Sequence, residues 1–171
     1  MSFLQPSRVI VGVGDLQDGV RPLAWALAEA RRRGAQLHAV RTWRLPSQPG
    51  SMSGDWRHLL EQDAEQTLVE ALRLVTGGVA PDFSCRLAAR QGFPAEVLLA
   101  YADRDDDLLV LGAGRRGLWG LLGQRTVHTC VRKAGCPVVV VPTVALAPTV
   151  PVRKLLRELR RELKQLEQAG A

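Results

Sequence analysis

Leu108-Leu-Val-Leu-Gly-Ala-Gly-Arg-Arg-Gly117 joins a four-residue apolar run to a glycine-spaced loop, and its reading decides the fold of this 171-residue chain. A short run of Leu and Val without polar alternation is the pattern of a strand buried on both faces. Gly112, Gly114 and Gly117 follow at G-x-G-x-x-G spacing, and Gly120 and Gly123 continue the series. Glycine there lets backbone N–H groups approach an anion, because no Cβ intervenes and positive φ costs little. The segment reads as a buried strand entering a phosphate-type loop.

Working toward the N-terminus, residues 8–13 (Arg-Val-Ile-Val-Gly-Val) form a second buried-strand signal that ends in Gly14-Asp15. Helical spacing follows, with Val20, Leu23, Ala24, Leu27 and Ala28 predicted on the apolar face. Arg31, Arg32 and Arg33 suit the negative end of that helix dipole, and Gly34 stops it. Residues 37–43 read as the next strand. The breaker-rich stretch 46–54 then leads to Asp55, a suitable N-cap for a long helix carrying Leu60, Ala64, Leu68, Ala71, Leu72 and Val75. Gly77-Gly78 closes that helix, 83–88 is a weaker strand, and Pro94 opens a short helix through Val97, Leu98 and Tyr101. Residues 108–111, 126–134 and 138–141 complete the series as strand, helix and strand.

Strict β-α alternation predicts the α/β class: a single doubly wound sheet of five parallel strands with helices on both faces. Ligands of such sheets sit at the carboxyl ends of the strands, where the strand order reverses. That directs attention to residues 12–15, after the first strand, and 112–117, after the fourth.

Bulk properties narrow the classes. A chain of this length and 46% hydrophobic content can bury one good core and is too short for two ordinary domains with separate cores. No apolar run has membrane-spanning length, and the first residues lack the basic and apolar regions of a secretory signal, so a cytoplasmic protein with no membrane partner is expected. Cys85, Cys130 and Cys136 show neither C-x-x-C nor zinc spacing and read as small buried residues. His38, His58 and His128 are scattered, which predicts no metal site. The net charge of +6 draws +3 from residues beyond 142, where six basic residues face three acidic ones. The rest is modestly basic, poor in aromatics and without a nucleic-acid-binding signature, so nucleic acid is not the expected partner.

Several catalytic motifs fail on position. A dinucleotide fingerprint belongs in the first β-α turn, with an acid about twenty residues on for the ribose. Here the glycines follow the fourth strand and only one further strand remains. No Gly-Lys-Ser or Gly-Lys-Thr completes a P-loop, and Gly50-Ser-Met-Ser-Gly54 carries methionine where a nucleophile elbow needs serine. Asp103, Asp105, Asp106 and Asp107 read as a solvated turn entering a strand.

Taken in order, the segments resemble the universal stress protein family. Val9-Ile-Val-Gly-Val13 resembles its first strand, and Trp25-Ala-Leu-Ala-Glu-Ala-Arg-Arg-Arg-Gly-Ala-Gln-Leu37 its first helix and turn. Gln91-Gly-Phe-Pro-Ala-Glu-Val-Leu98 is similar to the Gly-x-Pro-Ala turn, and Ala134-Gly-Cys-Pro-Val-Val-Val-Val-Pro142 to the closing segment. The resemblance covers residues 8–142 and implies a Rossmann-like domain over 1–142. It also implies ATP binding in members that end strand one with aspartate, pack a strand-two residue on adenine and carry G-x2-G-x9-G-(Ser/Thr) after strand four. Aligned on Cys136-Pro137, Gly114 takes the second glycine position, Leu111 the first, and Gln124-Arg125 the final Gly-Ser pair. Gly14 falls at the aspartate position with Asp15 beside it, and the adenine side falls near Thr42. The candidate nucleotide-binding residues are therefore Val13, Gly14, Asp15, Thr42, Gly112, Gly114, Arg115, Gly117, Gly123, Gln124, Arg125 and Thr126. Glutamine for glycine restricts positive φ in a phosphate cradle, whereas Arg115, Arg116 and Arg125 offer guanidinium donors, so the expected pocket is an altered ATP site.

Residues 143–151, with Pro148 and Pro151, read as a semi-rigid linker. Across 152–171, Val152, Leu156, Leu159, Leu163 and Leu166 recur at spacings of four, three, four and three, the seam of a short amphipathic helix. Arg153, Arg157, Arg160 and Lys164 line one side of it. The resemblance implies a homodimer through the last strand, Val138, Val139, Val140 and Val141, which the added helix would support. The expected function is a dimeric binding and signalling module in stress response, without turnover of its own. The alternatives are an ATP-dependent hydrolase or transferase using the same loops, and a nucleotide-independent protein-interaction module.

Overall fold

The computed structural model describes residues 7–45, 56–114 and 120–142. The predicted linker and C-terminal helix lie outside the described residues. Nine elements alternate along the chain: β1 (Arg8–Gly12), α1 (Leu16–Arg33), β2 (Gln36–Trp43), α2 (Trp56–Thr76), β3 (Cys85–Gln91), α3 (Pro94–Tyr101), β4 (Leu108–Gly112), α4 (Gly120–Lys133) and β5 (Val138–Val141). The five strands form one sheet in the order β3-β2-β1-β4-β5, with every pairing parallel. The order reverses between β1 and β4, as the doubly wound pattern requires.

Successive strand residues point to opposite faces, and the two cores divide accordingly. Val9, Val11, Leu37, Ala39, Leu108 and Val110 pack with α1 and α2. Ile10, Val40, Leu109 and Leu111 pack with α3 and α4. Burial on both faces explains why β1 and β4 are uninterrupted apolar runs.

Three elements depart from their predicted form. On α1 the buried face is Gly19, Pro22, Leu23, Ala26 and Ala30, whereas Ala24 and Ala28 are exposed. A small-residue stripe lets the helix approach the sheet: a Cβ on Gly19 would stand 2.9 Å from Val13 Cγ1. Strand β3 runs Cys85–Gln91, three residues past its predicted end, because it is zipped to β2 from Leu37↔Cys85 to Trp43↔Gln91. An edge strand takes its limits from its partner, so polar Arg90 and Gln91 are tolerated. Helix α4 begins at Gly120, six residues before the predicted start. Glycine in a helix costs about 1 kcal/mol relative to alanine, which weakens the element without forbidding it.

A fourth correction concerns the acidic turn. Asp107 is only 1% exposed, not solvated. Its carboxylate accepts from Arg8 Nε at 2.8 Å, Arg8 Nη2 at 2.6 Å and the Arg104 amide at 3.1 Å. Asp103, which is exposed, takes a further bond from Arg8 Nη2 at 2.6 Å. This cluster pins β1 to the α3–β4 turn at the edge opposite the switch point. Beside it, buried His38 meets the Tyr101 hydroxyl at 3.1 Å through Nδ1.

The cysteines are free; Cys130 and Cys136 are buried and Cys85 is half-buried. Burial pushes the Cys130 thiol up to about 11, with the neighbouring Cys136 adding to the effect. Among the described residues no helix is long and apolar enough to cross a membrane.

Candidate functional site

Two loops meet where the strand order reverses. The loop after β1 is tied to β2, because the Val13 amide donates to the Val40 carbonyl at 2.8 Å. Val13 itself is buried and supports the loop from below. The loop after β4 is tied to β5 through the Ala113 amide and the Val141 carbonyl at 2.9 Å. Since β1 and β4 are direct neighbours, about 4.8 Å apart and in register as far as Val11↔Val110, the loops that follow them leave the same end of the sheet side by side.

The loop after β4 is shaped by a glycine. Gly114 adopts φ +74°, the left-handed region in which a Cβ is strained and successive amides can turn toward an anion. Gly14 is exposed, and a Cβ built there meets nothing within 4 Å. Asp15 is extended, with φ −67° and ψ 157°, and its carbonyl accepts the amides of Asp18 at 3.0 Å and Gly19 at 2.8 Å to start α1.

The Asp15 carboxylate makes no cap hydrogen bond to α1. It pairs instead with Arg41 Nη2 at 3.3 Å, while Arg41 Nη1 donates to the Gly14 carbonyl. Arg41 is the residue that motif reading missed. The Arg41 side chain is 16% exposed against 80% for Asp15, so the strand residue forms a fixed cationic wall and the acid a solvent-facing rim. An ion pair with one partner so exposed stabilises by at most about 1 kcal/mol, and its importance is geometric. Arg41 alternates into register beside the first loop from β2, a placement only strand pairing reveals.

The remaining predicted residues divide by element. Thr42 follows Arg41 on β2 and pairs with Arg90 of β3. Gly112 ends β4 opposite Val141. Arg115 and Gly117 lie outside the described residues. Gly123, Gln124, Arg125 and Thr126 belong to α4, with Arg125 exposed and Thr126 half-buried. At about 1.5 Å rise per residue, Thr126 stands about 9 Å along the helix from Gly120. The segment aligned with a phosphate loop is thus helical from Gly120, and the amides of its first turn have no intrahelical acceptor. On the β2–β3 side of the rim, the Arg44 guanidinium lies 4.5 Å over the exposed Phe93 ring.

Among the described residues no group of three or more His, Cys, Asp or Glu side chains is arranged to hold a metal ion. A shallow concavity on α2, lined by Gln62, Glu65, Gln66, Val69 and Glu70, is remote from both loops and presents carboxylates.

The parallel order 3-2-1-4-5, with the strand order reversing at the β1/β4 switch point, defines a doubly wound α/β domain. The chain belongs to the universal stress protein family, whose family model matches residues 6–142. Curated protein sequences provide no match. Among solved structures, universal stress protein UspA from Lactobacillus plantarum is 23% identical, covers 80% of this chain and 98% of its own, and superposes with a TM-score of 0.62. A universal stress protein in complex with cAMP is 22% identical over 81% of this chain and 98% of its own, with a TM-score of 0.57. A family protein from Arabidopsis thaliana with AMP bound is 21% identical over 86% of this chain and 99% of its own, at a TM-score of 0.51. At these identities the likeness establishes a shared fold.

Proposed function

We propose that the chain is a nucleotide-responsive stress module that binds an adenine nucleotide at the β1/β4 switch point and signals by that binding without turning the ligand over. The observation that carries this reading is that the loops after β1 and β4 leave neighbouring strands at the switch point, one with Gly14 open and held by Arg41, the other with Gly114 in the left-handed region. Solved relatives with cAMP and AMP support the ligand class. Gln124 and Arg125, both in α4, stand where the family pattern of ATP-binding members has glycine and serine, so a monophosphate fits this reading better than ATP. Asp15, the carboxylate at the strand end, is engaged by Arg41, which favours a binding role over a metal-holding catalytic one.

The module acts in the cytoplasm as a homodimer. Val138–Val141 forms an outer edge of the sheet with Val140 exposed, and an unpaired parallel edge needs covering. Calorimetric titration with AMP, cAMP and magnesium ATP tests the ligand: we expect one saturable site per chain for a monophosphate, lost in Gly114→Val without loss of fold. Absence of saturable binding by all three nucleotides would overturn the proposal. Val140→Lys should halve the solution mass if the β5 edge forms the dimer.

A further inference from the structure

Helix α2 carries Glu61, Asp63, Glu65 and Glu70 against Arg57 and Arg73, a net of −2 (two cations less four acids) within a chain of net +6. Its inner face is spent on the sheet through Ala64, Leu68 and Ala71. On the opposite face Leu59, Gln62, Gln66 and Val69 recur at spacings of three, four and three, which places them on one stripe. Leu59 is 54% exposed and Val69 56%. Gln62, Gln66 and Val69 line the shallow concavity on this helix, together with Glu65 and Glu70. The face therefore combines a seam of helix-packing period with an acidic border.

The chain itself contains the complement. Val152, Leu156, Leu159, Leu163 and Leu166 repeat at the same alternating spacing, with Arg153, Arg157, Arg160 and Lys164 alongside. An isolated amphipathic helix of this length is marginal in water and needs a surface to pack on. Reach permits it. The nine residues 143–151 span about 28 Å at about 3.1 Å per residue in a proline-containing linker. The sheet from β5 to β3 is four strand spacings wide, about 19 Å.

We propose that residues 152–166 dock as a helix on the outer face of α2 of the same chain, leucine seam against Leu59, Gln62, Gln66 and Val69, basic flank along the Glu65 side of that stripe. The surface is distinct from the β1/β4 site, so the inference does not depend on nucleotide binding. The test is a charge-swap cycle in the full chain. Glu65→Arg, and separately Arg157→Glu with Arg160→Glu, should each lower the melting temperature by about 2–4 °C, the shift that about 1 kcal/mol produces at this size. The three changes combined should recover most of that loss. A chain ending at Val150 should no longer respond to the α2 reversal. Equal responses to the α2 reversal with and without residues 151–171, or no recovery in the combined variant, would overturn the proposal. Light scattering at matched concentration tests the same-chain assignment: unchanged mass after truncation supports it, and a fall in mass would assign the helix to a second copy and overturn it.

Discussion

Replacing Asp107 by alanine should be among the most damaging single changes available in this domain. Its side chain is wholly buried, and the Arg8 side chain that binds it is 12% exposed. Three hydrogen bonds converge on the carboxylate, two from the Arg8 guanidinium and one from the Arg104 amide. The Asp107 hydrogen bond is the main reason the Arg8 pKa is pushed above its ordinary value, and without that partner the guanidinium is basic enough to remain charged. Removing one member of a buried pair typically costs about 3–5 kcal/mol, because the survivor is left charged in a poor solvent. Asp103 keeps its bond to Arg8 at 2.6 Å, which places the expected loss near the lower limit, about 3 kcal/mol. At about 2–4 °C per kcal/mol for a chain of this size, the melting temperature should fall by about 6–12 °C. Circular dichroism melts and urea titrations of Asp107→Ala would measure it. The paired change Arg8→Met with Asp107→Leu should be much milder than the single, since an apolar pair leaves no orphaned charge. A single-variant loss below about 1 kcal/mol, or a double variant as unstable as the single, would refute the reasoning.

Further outcomes follow from the same geometry. Burial, followed by the charges of Arg8 and Arg86, lowers the pKa of His38, with Asp107 opposing and Arg104 assisting. The unfolded chain therefore takes up this proton first, so stability is full above the ordinary histidine value near 6.5 and declines as pH falls through it; His38→Gln should flatten that decline in urea titrations between pH 8 and 5. Gly19→Ala should destabilise by about 1 kcal/mol net, because overpacking against Val13 Cγ1 and the Gly14 amide outweighs the better helix propensity of alanine; a stabilised variant would refute the contact. Trp43→Phe should cost less than about 1.5 kcal/mol, against about 3–5 for a buried Trp→Ala change, because the buried Trp43 Nε1 has no hydrogen-bond partner among the described residues and its removal relieves an orphaned donor; chemical denaturation would check this.

The sheet was legible because its information is local. Buried parallel strands announce themselves as apolar runs, and β4 and β5 need no partner to be recognised. Where an element is defined by another element, local reading slips. The limits of β3 are those of its pairing with β2, and the buried face of α1 is chosen by how closely Gly19, Ala26 and Ala30 let the helix settle on β1 and β4. Asp107 misled for a related reason: among four neighbouring acids its burial is decided by Arg8, ninety-nine residues away.

The candidate site divides along the same line. Glycine spacing after β4 and the Gly14-Asp15 turn after β1 are sequence signals, and strand order brings the two together. Arg41 has no such signal, since an arginine in a strand resembles any polar residue on an exposed face. Its role appears once β2 is registered on β1 at Gly12↔Val40, because the next residue of β2 then stands beside the loop that follows β1. The consequence is a change in charge. Where the family pattern of ATP-binding members has an aspartate at the end of strand one, this chain has an unobstructed glycine whose carbonyl is held by a guanidinium, with the carboxylate moved one residue outward to the rim. A guanidinium accepts no hydrogen bonds, so Arg41 supplies only donors to this rim, and the acceptor there is the Asp15 carboxylate. The rim thus pairs a largely buried donor with an exposed acceptor, in the reverse order to that pattern.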